Sequence, residues 1–195
     1  MTGEEVAMLD HSIPYYDLTM VLSSLHNIPD YPLPECFGIR RYLPGDEFYW
    51  SVIEHSAGQF ERVEDALNGF CCAFPDRASL SERMLFLTDG DVPFATATAW
   101  FGVDGPNGRI GRLHWIAIDE AHQGKRLSRP LVALALQRMR ALGHTEAYLT
   151  TQTESWVAIK TYARFGFMPV IDDSSREGWR IVSEKAGLDL AAHTR

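Results

Sequence analysis

The 195 residues suit one domain with a sizeable core, since 46% of them are hydrophobic. A formal net charge of -8 argues against a nucleic-acid partner, which favours a basic face, and leaves room for a cationic substrate. The start Met1-Thr2-Gly3-Glu4-Glu5 lacks the apolar segment of a secretory signal, and the longest apolar run, Leu131–Leu136, is far too short to cross a bilayer. The expectation is a cytoplasmic chain without membrane contact. Cys36, Cys71 and Cys72 lack C-x-x-C spacing, so they are expected to be buried or half-buried free thiols, and no metal site is expected.

Residues 1–37 hold Pro14, Pro29, Pro32 and Pro34 together with an apolar cluster from Ile13 to Leu22. A disordered tail would be poorer in aromatics. This stretch reads as an extension packed on the remaining domain, 38–195, or on a second subunit as a homodimer, with a short helix near Leu18–Leu25. Gly38–Leu43 reads as a first strand, and Pro44-Gly45-Asp46 supplies turn and capping chemistry for a helix through about Ser56. A second helix covers roughly Glu61–Ala73. The strands Met84–Thr88 and Val92–Phe101 flank the hairpin signal Asp89-Gly90-Asp91. Glycines 102, 105, 108 and 111 mark a loop before the strand Arg112–Ile118. Helical spacing then runs from Ser128 to Leu142, with Pro130 tolerated in the first turn and Gly143 beyond the end. A strand at Glu146–Thr150, a helix at Ser155–Phe165 and a strand at Phe167–Ile171 follow, and Trp179–Val182 reads as one more strand.

The loop Gln123-Gly124-Lys125-Arg126-Leu127-Ser128 joins a strand to a helix. The first N–H groups of a helix have no internal partner, and the dipole makes that end positive, so the junction is a ready site for a pyrophosphate. A P-loop is excluded: Asp119 stands where its first glycine is needed, and Arg126 follows Gly124-Lys125.

The run Ile116 to Ser128 resembles the acyl-CoA signature of the GNAT superfamily of N-acyltransferases. Gln123 fills the first place of that signature, while Arg126 and Ser128 stand where the family has Gly and Gly or Ala. The run Ser155 to Phe167 is similar to the family's second signature, a helix carrying Ala158 and Tyr162 and closed by Gly166-Phe167, with Ser155 where Asn is common. The resemblance implies an α/β fold with a mixed, mostly antiparallel sheet flanked by helices. In that sheet the central strands Arg112–Ile118 and Glu146–Thr150 splay to admit the pantetheine arm. It also implies an acetyl-CoA-dependent N-acetyltransferase acting directly on a primary amine, either a small molecule or a peptide.

In that reading the backbone at Ile116, Ala117 and Ile118 polarises the thioester. Gln123, Gly124, Lys125, Arg126, Leu127 and Ser128 hold the pyrophosphate, Ser155 adds a cofactor contact, and Tyr162 protonates the thiolate. Arg126 is expected in an ordinary helical-entry conformation with its side chain in solvent. The base is open: His114 lies on the strand on the face of Ile116 and Ile118 by simple alternation. Glu54, His55, Asp119, Glu120, His122 and a water chain remain as alternatives. Arg126 and Ser128 also leave open a second reading, an acyl-CoA-binding module without catalysis.

Overall fold

Leu18, Met20 and Leu22 are buried while their neighbours face outward, a period of two that makes β1 (Asp17–Leu22) a strand rather than the short helix expected there. Its place is internal. In the computed structural model, which describes residues 9–188, one seven-stranded sheet has the order β2-β3-β4-β5-β6-β1-β7. The strands are β2 (Phe37–Arg41), β3 (Met84–Asp89), β4 (Val92–Phe101), β5 (Ile110–Ile118), β6 (Glu146–Gln152) and β7 (Met168–Val170). Every neighbouring pair is antiparallel except β5 and β6, as in a mostly antiparallel mixed sheet.

Helices cover both faces. On one side α1 (Glu47–Ser56) and α2 (Val63–Ala73) bury Trp50, Ile53, Ala66, Phe70 and Phe74 in an aromatic-rich cluster. A single turn, α3 (Leu80–Arg83), leads from there into β3. On the other side α4 (Ser128–Ala141) and α5 (Trp156–Arg164) bury Leu131, Leu136, Ile159 and Tyr162 against the sheet. The last helix, α6 (Arg176–Ala186), covers the residues expected as a final strand. Trp179 and Val182 are three apart, both buried, and the Trp179 indole N–H donates to the Val170 carbonyl at 2.9 Å.

Two local expectations are corrected. Asp46 precedes α1 but makes no cap. Its carboxylate instead takes both Arg40 Nη atoms and the Leu43 N–H, tying β2 to the helix start. Cys36, Cys71 and Cys72 are free but exposed, because Phe70 takes the inward position of α2 and turns the two following thiols outward. The glycine-rich loop is pinned from below. Arg83 donates to the Ala99 and Pro106 carbonyls, and His144 holds the Gly108 carbonyl through Nδ1 at 2.8 Å.

Gly178 is where α6 meets β1. A Cβ built there would lie 2.6 Å from Tyr16 Cβ and 3.0 Å from Leu18 Cδ2. Ala in place of Gly normally gains a helix interior about 1 kcal/mol. Here the overlap reverses the sign, and Gly178→Ala is expected to destabilise the fold by about 1–3 kcal/mol in chemical denaturation.

Candidate active site

The ladder between β5 and β6 holds three residue pairs, Ile110 with Glu146, Gly111 with Ala147 and Arg112 with Tyr148, and then stops. Beyond it each strand follows its other neighbour. β6 stays paired with β1 from Ala147 to Gln152, and β5 stays paired with β4 up to Ile118. The edge of β5 from Leu113 to Ile118 therefore faces a gap instead of a strand.

A bulge sharpens the parting. Thr98 pairs with His114 and Thr96 with Ala117, so Ala97 alone opposes both Trp115 and Ile116. Trp115 has φ +46°, a left-handed conformation uncommon for a bulky residue, and such a bulge bends and twists its strand. It also breaks the alternation assumed for His114. Leu113, Ile116 and Ile118 face the α4–α5 side. The His114 ring lies 5.5 Å from Phe74 and the Trp115 ring 5.2 Å from Trp50, both on the α1–α2 side. His114 is thus on the face opposite Ile116 and Ile118.

The gap opens into a cleft of about 240 Å³. Of the residues singled out from sequence, His114, Ile116, Ser155 and Tyr162 line it, and Glu54 joins them from α1. Glu54 is 1% exposed, and neither carboxyl oxygen has a hydrogen-bond partner. Burial pushes its pKa up to about 8. Tyr162 reaches the cleft from α5 on the other face of the sheet, and its pKa is raised by burial and by the charge of Glu54. The two groups sense each other through the space between the parted strands. His114 is pulled down to about 3, first by burial and then by the charge of Arg112, and its Nε2 lies 3.4 Å from the Ala73 carbonyl.

Gln123 to Ser128 lie outside this cleft lining, at the start of α4. Leu127 is the residue before the helix and makes no side-chain cap, so the first N–H groups of α4 are not claimed by a capping side chain. Gly124 has φ +74° and Arg126 φ +62°. Arg126 therefore adopts the glycine-like conformation itself rather than the ordinary helical entry expected of it, with its side chain exposed. Two left-handed residues in so short a loop turn the chain sharply just ahead of the helix start. Gln123 folds back, its Nε2 donating to the Ile118 carbonyl at 3.0 Å, so it braces the loop against β5. His122 is held between Asp119 at 2.7 Å and a stacked Phe94 ring at 4.0 Å, and does not line the cleft. Glu120 and His55 are exposed outside it as well, with the His55 Nδ1 on the Phe60 carbonyl.

The parted strands and the uncapped helix start are what a pantetheine arm and its diphosphate need. The profile of the acetyltransferase (GNAT) family matches residues 43–167. The chain belongs to that family. This GNAT chain is 28% identical over 155 residues to a mycothiol acetyltransferase of Sanguibacter keddieii, covering 74% of the chain and 48% of that relative. The chain thus spans about half the length of the curated relative it matches. Among solved structures, a GCN5-related N-acetyltransferase from Sphaerobacter thermophilus shares its fold at TM-score 0.59 and 19% identity, with 81% of this chain and 50% of that one covered. The Salmonella typhimurium protein yncA, solved with its cofactor acetyl-CoA, superposes at TM-score 0.54 with 20% identity, covering 68% of this chain and 79% of that one. Among the described residues of this GNAT chain, no helix is long and apolar enough to cross a membrane, and no group of three or more His, Cys, Asp and Glu is placed to hold a metal ion.

Arg112, which lines the cleft, and two threonines beside the bulge carried little signal in the sequence. Arg112 is a single charge inside an otherwise apolar strand, which is the one hint it offers. Thr96 and Thr98 are buried on β4 beside the bulge with unpartnered hydroxyls, and nothing in their spacing marks them.

Relieving the left-handed strain at position 126 is expected to stabilise the ligand-free protein, with Arg126→Gly gaining about 0.5–1 kcal/mol by thermal or urea denaturation. Glu54 gives a second expectation with a definite sign. In the unfolded chain its carboxyl releases its proton near 4.5, and in the fold only near 8. Between those values the folded state binds more protons, so stability falls as pH rises through that window. Denaturation midpoints of Glu54→Gln should lack that part of the decline, and a variant that follows the wild-type slope would show Glu54 to be solvated.

Proposed function

We propose that this chain is an N-acetyltransferase that moves an acetyl group from acetyl-CoA directly to a primary amine. The observation that carries the reading is a buried, unpartnered Glu54 facing a buried Tyr162 across the gap between β5 and β6. An orphaned carboxyl in a core costs free energy, and a core with no reaction to run gains nothing from it. That contrast favours catalysis over a module that only binds acyl-CoA.

Each residue has a task in the transfer. The loop Gln123–Ser128 and the start of α4 take the diphosphate, with Lys125 and Arg126 adding positive charge. The β5 edge around Ile116–Ile118 offers N–H groups to the thioester oxygen. Tyr15, Asp17 and Gln59 line the cleft with Glu54 and form the acceptor side. Glu54 takes the proton of the amine, whose nitrogen attacks the carbonyl carbon. As the C–N bond forms and the C–S bond breaks, Tyr162 passes its phenolic proton to the departing sulfur. We assign the base to Glu54 rather than to His114, because an imidazole held near 3 is too weak to draw a proton from an amine. His114 then shapes the wall between Phe74 and Trp115.

A base with a pKa about 8 is only about one-tenth ionised at pH 7, so kcat/KM should rise with pH and level off above about 8. Glu54→Gln should abolish that rise and lower kcat/KM about 10²–10⁴-fold. Tyr162→Phe should lower kcat by a similar factor while leaving acetyl-CoA affinity within a few-fold, because its contact develops with the thiolate. Steady-state thiol release with a panel of amines measures all three. Unchanged kcat in both variants would return Glu54 and Tyr162 to the core.

A further inference from the structure

Arg112 is the last residue of the β5–β6 ladder, at the closed end of the cleft, and its environment is incomplete. Its guanidinium lies over the Tyr148 ring at 5.8 Å, and one Nη donates to Thr150 Oγ1 at 2.9 Å. Its Nε is buried with no partner. Among the described residues no carboxylate is paired with it. Other arginines of the chain contrast with this. Arg40 pairs with Asp46, Arg62 with Asp65 and Arg180 with Glu177, each within 2.9 Å of a carboxylate oxygen. Arg62 and Arg180 are exposed, and Arg40 is half-buried with its carboxylate partner, whereas Arg112 is half-buried in the cleft wall without a counterion. The charge acts on its surroundings, since it helps to hold His114 low.

We infer that Arg112 receives the carboxylate of a substrate. The guanidinium fork pairs with a planar carboxylate through its N–H donors, and Nη1 is the Arg112 donor that is neither buried nor hydrogen-bonded here. The phosphates of CoA are too far to be its partner. Six residue steps of strand lead from Arg112 to Ile118, about 20 Å, and the Gln123–Ser128 loop lies beyond Ile118. Arg112 is at the end of the cleft away from that loop, so it would lie past the acyl group rather than beside the nucleotide. Two substrates carry a carboxylate to that place: an acceptor amine that also bears an acid group, or an acyl chain ending in one. The inference rests on the acyl-transfer reading for the identity of those substrates, and on the unpaired guanidinium for the carboxylate.

The test compares acids with their carboxamides. Wild type, Arg112→Gln and Arg112→Lys are assayed with acetyl-CoA and the ω-amino acids from glycine to 6-aminohexanoate, each beside its amide. A second arm uses succinyl-CoA beside butyryl-CoA with the amides as acceptors. In wild type the acid should exceed its amide by about ten- to a hundred-fold in kcat/KM at a favoured chain length. Arg112→Gln should bring the ratio near one, and Arg112→Lys should keep part of it. A ratio that collapses in the succinyl arm instead assigns the carboxylate to the acyl group. Ratios near one in wild type, or ratios that survive in Arg112→Gln, overturn the inference.

A binding measurement separates this from a failure of the acyl-transfer reading. Glutarate added to wild type should shift the His114 ring resonances by neutralising its charged neighbour, and should not do so in Arg112→Gln. Transfer to no amine together with that shift would reject the enzyme and keep the carboxylate site. No shift would reject the site.

Discussion

The structure depends on two strands that start together and do not stay together. Backbone N–H and C=O groups are obligatory hydrogen-bonding partners, and a sheet normally spends them on its own ladders. β5 gives up that pairing after Arg112 and exposes a row of them along a cleft. The arrangement holds because each strand is anchored on its far side, β5 by β4 and β6 by β1. With both anchors in place the sheet stays one body while its middle is open. Only through that opening do Glu54, carried by a helix on one face, and Tyr162, carried by a helix on the other, come within electrostatic reach of each other.

Burial then sets the chemistry of what meets there. Withdrawal from water disfavours charge, so it moves an acid up and a base down. Glu54, Tyr162 and His114 all move toward their neutral forms, with burial as the leading cause in each. The cleft is thus a low-dielectric space in which a single unpaired cation, Arg112, is felt by its neighbours more strongly than it would be in water. Trp115 lines that space with its ring packed against Trp50 and Phe60, and Trp50 in turn packs on Phe74.

What could be read in the sequence was what is local. The loop before α4 and the helix bearing Tyr162 are each written in about a dozen consecutive residues, and so were legible together with the mostly antiparallel sheet they imply. Features made by distant partners were not. Leu18, Met20 and Leu22 carry a strand's period, yet they sit among prolines and next to leucines that also fit a helix turn, and the strand's partner is far along the chain. The bulge at Trp115 is marked by no glycine, so alternation placed His114 on the wrong face. Arg126 broke the rule that a left-handed position takes glycine, which is why an ordinary conformation was expected. Glu54 was visible as one carboxylate among several. Its isolation exists only once α1 packs over the gap.

The internal position of β1 has a consequence for how the chain reaches this fold. β1 pairs Asp17 with Gln152 and Leu22 with Ala147, and on its other edge Val21 with Met168. Both edges of this segment are satisfied only by residues far along the chain. Contacts so far apart in sequence carry a large loop-closure entropy and slow folding. The half-sheet from β2 to β5, with α1 and α2 on it, is assembled from near neighbours and is free to form first. The second wall of the cleft, β6, is backed on its far side by β1 alone, so the cleft is complete only when that long-range pairing has been made.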